Sequence, residues 1–265
     1  MKTKVSLIIT TYNWKEALKL TLDSIVMQTI LPDEVIIADD GSTDDTRKMI
    51  DEFKKTCNIP IIHSWQEDKG FRLAQSRNKA ISISKYDYII FIDGDIILHR
   101  KFIQDHINLS KEGIYLQGSR VLLNEEFSKE ILVNKVFKRP HIFSGKFKNR
   151  INYFYSPLLS KLFFKTKIKS HSGVRGCNFS FFKKDIIRIN GFNEDFIGWG
   201  REDSEFVERL YNSGIQRRTL KFRAVQYHIF HNEGNASTKN NNILEKAINE
   251  KLSWCENGID KYLKK

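Results

Sequence analysis

Asp93-Gly94-Asp95 sets two carboxylates around a glycine, directly after the apolar run Tyr88-Ile-Ile-Phe-Ile. Two acids this close repel unless a cation sits between or beside them. Hard oxygen ligands of this kind suit Mg²⁺ or Mn²⁺, and such an ion in turn holds a diphosphate. An Asp-Gly turn is also common at strand ends with no ligand at all. Its place after a buried strand, level with two earlier polar loops, favours the metal. His228-Ile-Phe-His231 adds two imidazoles late in the chain. A lone histidine is usually a satisfied polar residue, whereas two at this spacing, in a chain that already offers an Asp-Gly-Asp, supply a third metal ligand.

These groups need strands and helices to aim them. Val5-Ser-Leu-Ile-Ile, Glu34-Val-Ile-Ile-Ala and Tyr88-Ile-Ile-Phe-Ile read as buried strands, with a shorter one over 59–63. Helical spacing of apolar residues fills 15–27, 46–56 and 72–84. Strands alternating with helices of this length predict an α/β fold, a Rossmann-like, mostly parallel sheet covered on both faces. Ligands bind such sheets at the carboxyl ends of the strands. The polar clusters lie there: Thr10 to Asn13, Asp39 to Ser42, then Asp93 and Asp95. Asp39 and Asp40 would equally cap the following helix. Further along, 98–123 reads as a helix and a strand pair, 173–182 as a strand, 184–190 as a short helix and 201–213 as an amphipathic helix. A strand over 224–230 and a C-terminal amphipathic helix over 240–265 complete the chain. Glu202 and Asp203 open the 201–213 helix, where the helix dipole favours acids.

The chain has 265 residues, 40% hydrophobic and 29% charged, which excludes wholesale disorder. No apolar run approaches the roughly 20 residues of a membrane-spanning helix, and the first residues enter a strand without a signal-peptide core. Cys57, Cys177 and Cys255 are far apart and form no CxxC pair, so neither a disulfide framework nor a zinc knuckle is expected. These features predict a cytoplasmic protein. The net charge of +12 is uneven, because residues 127–170 hold eleven Lys or Arg against one Glu, with nine aromatics and no clean period. Such a belt asks for an acidic partner: ligand phosphates, nucleic acid or an anionic membrane face. Interleaved lysines and rings suit a membrane interface, which would make the protein peripheral on the inner membrane face; a flexible, solvated loop is the plain alternative. A basic nucleic-acid-binding protein is one rival class, disfavoured because the charge sits in one insert. A metal-dependent nucleotidyltransferase is another, and it would carry a glycine-rich basic loop where this chain has Thr10-Thr-Tyr-Asn-Trp.

Val5-Ser-Leu-Ile-Ile-Thr-Thr-Tyr-Asn, Ile37-Ala-Asp-Asp-Gly-Ser-Thr-Asp-Asp-Thr and Phe91-Ile-Asp-Gly-Asp together resemble the family 2 nucleotide-sugar glycosyltransferases of the GT-A fold. Gly176-Cys-Asn-Phe-Ser, Ile189-Asn-Gly-Phe-Asn-Glu and Gly198-Trp-Gly-Arg-Glu-Asp-Ser-Glu-Phe resemble the acceptor-side region of β-1,4-galactosyltransferases and bacterial chondroitin-type synthases. The resemblance implies a nucleotide-sugar-binding half over 1–123, a basic aromatic-rich insert over 124–172, an acceptor-binding catalytic half over 173–239 and the C-terminal helix over 240–265. It places Thr10 and Tyr12 beside a uracil, with Asn13 next to them, and gives Asp40 the base N–H. It sets Arg72, Arg77, Asp93 and Gly94 toward the nucleotide sugar. It assigns Asp95, Asp93 and His231 to Mn²⁺ or Mg²⁺, with His228 as a second choice of histidine. On the acceptor side it makes Asp203 the general base, has Glu202 hold an acceptor hydroxyl, and lays a sugar ring on Trp199 beside Gly200. The implied reaction is inverting transfer of a hexose or N-acetylhexosamine, with galactose or N-acetylgalactosamine favoured. The donor is a UDP-sugar and the acceptor a saccharide or lipid-linked saccharide of a bacterial surface glycan. No nucleic-acid partner is expected.

Overall fold

The computed structural model describes residues 3–163, 166–167, 173–232, 234 and 237–263. The first unit alternates β1 (Val5–Thr11), α1 (Lys15–Val26), β2 (Glu34–Asp39), α2 (Asp44–Thr56), β3 (Ile61–Trp65), α3 (Leu73–Ile83) and β4 (Tyr88–Asp93). There follow β5 (Ile96–Leu98), α4 (Phe102–Leu109), β6 (Ile114–Gln117), β7 (Val121–Leu123), α5 (Glu125–Asn134), β8 (Phe147–Lys148), α6 (Pro157–Phe163) and β9 (Thr166–Lys167). The chain continues through β10 (Phe179–Phe182), α7 (Lys183–Arg188), α8 (Glu202–Asn212), β11 (Gln216–Thr219), β12 (Gln226–His228) and α9 (Thr238–Asn249).

Among the described residues the main sheet has the strand order β3-β2-β1-β4-β10-β6-β11-β9, and a smaller sheet has the order β5-β12-β7-β8. β3, β2, β1 and β4 run parallel, as the alternation predicts. β10 enters antiparallel between β4 and β6. β1, β2 and β4 carry near-continuous apolar runs because both of their faces are covered. Leu7, Ile9, Ile37, Ile90 and Ile92 pack on the α1, α2 and α4 side, while Ile8, Ile36, Ile89 and Phe91 pack on the α3, α7 and α8 side. Each such buried side chain contributes roughly 1.5–3 kcal/mol. A third cluster joins Ala17 and Leu20 of α1 to the small sheet through Ile97, Val121, Phe147 and Tyr227.

Four sequence expectations change. The 98–123 strands are not a pair: β6 joins the main sheet and β7 the small one. Only Phe179–Phe182 of the 173–182 stretch is a strand, preceded by a turn at Gly176–Asn178. The basic insert is more ordered than its lack of period implies. Phe127 and Ile131 of α5 and Phe147 of β8 are buried in the third cluster. The C-terminal helix stops at Asn249 instead of reaching 265. Lys251 takes a left-handed φ of 51°, and the Leu252 and Lys251 amides close on the carbonyls of Ala247 and Ile248 in a Schellman cap. The tail then docks: Ile259 N–H donates to the Asn190 carbonyl at 2.9 Å, and a Cβ on Gly258 would lie 2.0 Å from that oxygen. Among the described residues no helix is long and apolar enough to cross a membrane.

Candidate active site

Strand register builds one end of the cleft. Thr10 lies opposite Asp93 in the β1–β4 pairing, and its hydroxyl donates to Asp93 Oδ1 at 2.8 Å. Gly94 N–H donates to the Thr10 carbonyl at 2.7 Å. A Cβ at 94 would stand 2.9 Å from the same oxygen, so glycine lets the chain turn hard against β1. The turn presents Asp95 and runs into β5, whose antiparallel pairing with β12 puts Ile96 opposite His228. Asp95 Oδ2 therefore lies 3.1 Å from His231 Nε2 and 3.5 Å from His228 Nε2. One ligand atom from each of the three residues falls within a 4.8 Å set.

This donor set fits a divalent cation. Asp95 Oδ1 is buried with no hydrogen-bond partner, which costs about 1–3 kcal/mol unless something else meets that oxygen. Burial pushes the Asp95 carboxyl up, but His228 and His231 outweigh it and hold the group below the usual carboxylate range. Arg120 Nη1 lies 3.2 Å from His228 Nε2. Asp93, expected as a ligand, stands outside the Asp95–His228–His231 set. It is held by Thr10 and faces Arg77 Nη2 at 3.7 Å. Burial pushes its carboxyl up to about 6, against the pull of Arg77.

Arg77 joins the two ends of the site. It comes from α3 and is only 2% exposed. Its Nη1 lies 2.7 Å from Asp203 Oδ1 and 3.6 Å from Glu202 Oε1, and its guanidinium sits 5.0 Å from the centre of the Phe192 ring. It is thus a hub for three carboxylates. Burial, reinforced by Asp203, pushes Glu202 up to about 7. The second Asp203 oxygen accepts the Gly176 N–H at 2.6 Å. A Cβ on Gly176 would lie 2.5 Å from Arg77 Nη2 and 2.6 Å from Asp203 Oδ1. Because β10 runs antiparallel to β4, its leading turn arrives at the end of β4 where Asp93 lies. Arg77, Asp93, Glu202, Asp203, His228 and His231 all line one cleft of about 550 Å³, with Trp199 in its wall. The Trp199–Gly200 loop is pinned by Asn240 Nδ2, which donates to the Gly200 carbonyl at 3.0 Å.

The remaining expected groups lie around the ends of β1 and β2. Asp40 Oδ1 accepts from Gln66 Nε2 at 2.6 Å and Oδ2 from the Arg72 N–H at 2.7 Å; burial raises its pKa. Arg72 thus offers its backbone here. Its guanidinium donates to the Lys69 carbonyl and borders a separate cavity with Gln75 and Glu194. Tyr12 is 50% exposed and donates to Asp68 Oδ2 at 2.9 Å. Asn13 locks the two loops together, donating its N–H to Ser42 Oγ and accepting the Thr43 N–H, both at 2.8 Å. Asp39 is wholly buried and pairs with His63 Nε2 at 2.7 Å. Sequence reasoning missed Arg120, Gly176 as an anchor of Asp203, and the His63 pair. Only Gly176, inside a quoted motif, carried any signal.

A family model described as glycosyl transferase family 2 matches residues 6–187, and one described as the N-terminal domain of galactosyltransferase matches residues 159–232. The chain belongs to glycosyl transferase family 2. A chondroitin synthase of Escherichia coli is 31% identical over 84% of this chain and 34% of that protein. An Escherichia coli UDP-Glc:alpha-D-GlcNAc-diphosphoundecaprenol beta-1,3-glucosyltransferase, WfaP, is 30% identical over 68% of this chain and 66% of its own length. The chain spans between about a quarter and about half of the other leading relatives, which include validoxylamine A glucosyltransferase and a second chondroitin synthase. Among solved structures, S. aureus TarS 1-349 in complex with UDP superposes with a TM-score of 0.64 at 17% identity, covering 93% of this chain and 64% of that one. The shared architecture is the GT-A fold.

Proposed function

We propose that this chain transfers a hexose or N-acetylhexosamine from a UDP-sugar to a saccharide or lipid-linked saccharide of a bacterial surface glycan, with inversion. Galactose and N-acetylgalactosamine are favoured by the match to the galactosyltransferase model in the second half. The uridine diphosphate is supported by the UDP and UDP-GlcNAc complexes of TarS, and a lipid-carried acceptor by the name of WfaP. The observation that carries the proposal is the single cleft lined both by His228 and His231, which form one donor set with Asp95, and by Asp203, anchored by Arg77 and the Gly176 N–H.

Inverting transfer is a one-step displacement. The acceptor oxygen bonds to the anomeric carbon as the bond to the diphosphate breaks, and the hydroxyl proton must go to a base within hydrogen-bond reach. Asp203 is that base in this reading, its carboxylate aimed by the Gly176 N–H and Arg77. Glu202, beside it, holds a second acceptor hydroxyl, and Trp199 gives the sugar an apolar plate. Asp95, His228 and His231 would hold Mn²⁺ or Mg²⁺, which when bound would supply neutralising charge for the leaving diphosphate. Mn²⁺ is favoured because two of the three donors are imidazoles. Asp40 and Tyr12 take the uracil.

A panel of UDP-sugars with Mn²⁺, read out as released UDP, tests the reading. One sugar should release UDP faster than the rest, and Asp203→Asn should lower transfer to acceptor by at least ~10²-fold with donor binding retained. No UDP released from any sugar would overturn it.

A further inference from the structure

From Ile131 to Lys184 the chain contains no aspartate or glutamate. The described part of this stretch sets bare apolar side chains among cations. On α6, Leu158 is 75% exposed and Leu162 is 71% exposed. Four residues apart, they share one helix face. The inward position goes to Ser160, which is 3% exposed. That arrangement inverts the usual soluble helix, which buries leucine and exposes serine. Ile151 and Phe154, just upstream, are exposed as well, and Lys148, Arg150 and Lys161 are interspersed with them.

The segment is held in place. Ser156 N–H donates to the Phe222 carbonyl at 2.9 Å, and the Phe163 and Phe222 rings meet edge to face at 5.4 Å. Asn152 Nδ2 donates to the Arg120 carbonyl at 3.0 Å. Arg120 lines the catalytic cleft, so the apolar face is tethered to the cleft's own wall.

An apolar, cationic segment with no acid of its own calls for an occupant that is both apolar and negative. A second copy of this chain would oppose cations to cations. A nucleic acid would meet the cations and leave the leucines without partners. We propose that this face docks the chain on an anionic lipid bilayer, with Leu158, Leu162 and Phe154 at headgroup depth and the lysines and Arg150 on lipid phosphates. The docking goes beyond the catalytic reading and does not depend on it. If both hold, a lipid-carried acceptor is met next to the cleft.

The test is flotation of the whole chain with phosphatidylglycerol vesicles and with phosphatidylcholine vesicles at low salt. Binding to phosphatidylglycerol is expected to be at least ~10-fold stronger and to weaken as salt shortens the screening length. The double variant Leu158→Glu/Leu162→Glu, at exposed positions, should keep the wild-type melting temperature and UDP-sugar hydrolysis while losing at least ~10-fold in vesicle affinity. No flotation with phosphatidylglycerol, or a double variant that floats like the wild type, would overturn the proposal. So would a solution dimer that the double variant dissociates, because it assigns the face to a second copy. Flotation is read without turnover, so its failure leaves the transferase reading intact, and failure of UDP release leaves docking intact.

Discussion

Arg77 is a single buried cation facing Asp93, Glu202 and Asp203. Removing one partner of a buried ionic cluster typically costs 3–5 kcal/mol, about the amount a marginal domain can lose. Arg77→Met should therefore lower the melting temperature steeply, while Arg77→Lys should keep the fold and lose turnover, since an ammonium cannot fork between Asp203 and Asp93 as Nη1 and Nη2 do; calorimetry paired with kinetics separates the two. Gly176→Ala is the milder probe. Its Cβ would press on both Arg77 and Asp203, and displacing a base by about 1 Å can cost ~10²-fold in kcat. We expect that loss with a change in melting temperature of only a few degrees, and unchanged kinetics would remove Gly176 from the site. At this scale Asp93-Gly94-Asp95 and the two histidines were legible because their residue types are chemically unusual in that order. Arg77 was legible as a site residue, but its sequence pointed to phosphates, whereas burial sets it among carboxylates. Arg120 and His63 reach the site through side chains that no local pattern marks.

Packing between elements turns those residues into a site. β10 follows the Gly176 turn, stacks Phe181 on Tyr115 and meets Phe91 and Tyr115 edge to face through Phe181 and Phe179. Behind it, His106 of α4 is wholly buried between Ser180 Oγ at 2.7 Å and Asn178 Oδ1 at 3.0 Å. Burial pushes this imidazole down from 6.5 to about 3. The unfolded chain takes up the proton first, so stability falls as pH drops from 6.5 toward about 3. At about pH 4.5 the loss should reach ~2–3 kcal/mol relative to neutral pH. Urea melts of wild type and His106→Gln at both pH values check this. The difference between the two proteins should shrink by that amount in acid, and parallel pH profiles would contradict it. The parallel strands β1, β2 and β4 were legible in their unbroken Val, Leu and Ile runs. The bounds of β10 and the assembly of a second sheet were not, because strands of three or four residues gain their limits and partners from distant pairing, not from local periodicity. The end of α9 was hidden for a related reason: a lysine in place of glycine makes the left-handed turn.

Over the whole molecule, the family 2 match and the GT-A architecture account for an acidic and imidazole cleft at the carboxyl end of a mostly parallel sheet. The basic insert is a second feature, and its charge was plain from composition alone. Its order was not, because Phe127, Ile131 and Phe147 are buried against a sheet that only long-range pairing creates. The central claim is that Asp95, His228 and His231 hold a divalent ion that grips a nucleotide diphosphate. Titrating UDP into the protein by calorimetry, once with Mn²⁺ and once with a chelator, tests it directly. The account predicts at least ~30-fold tighter binding with Mn²⁺, about 2 kcal/mol, and loss of that gain in Asp95→Ala. Equal UDP affinity with and without the ion in the wild-type protein would contradict it.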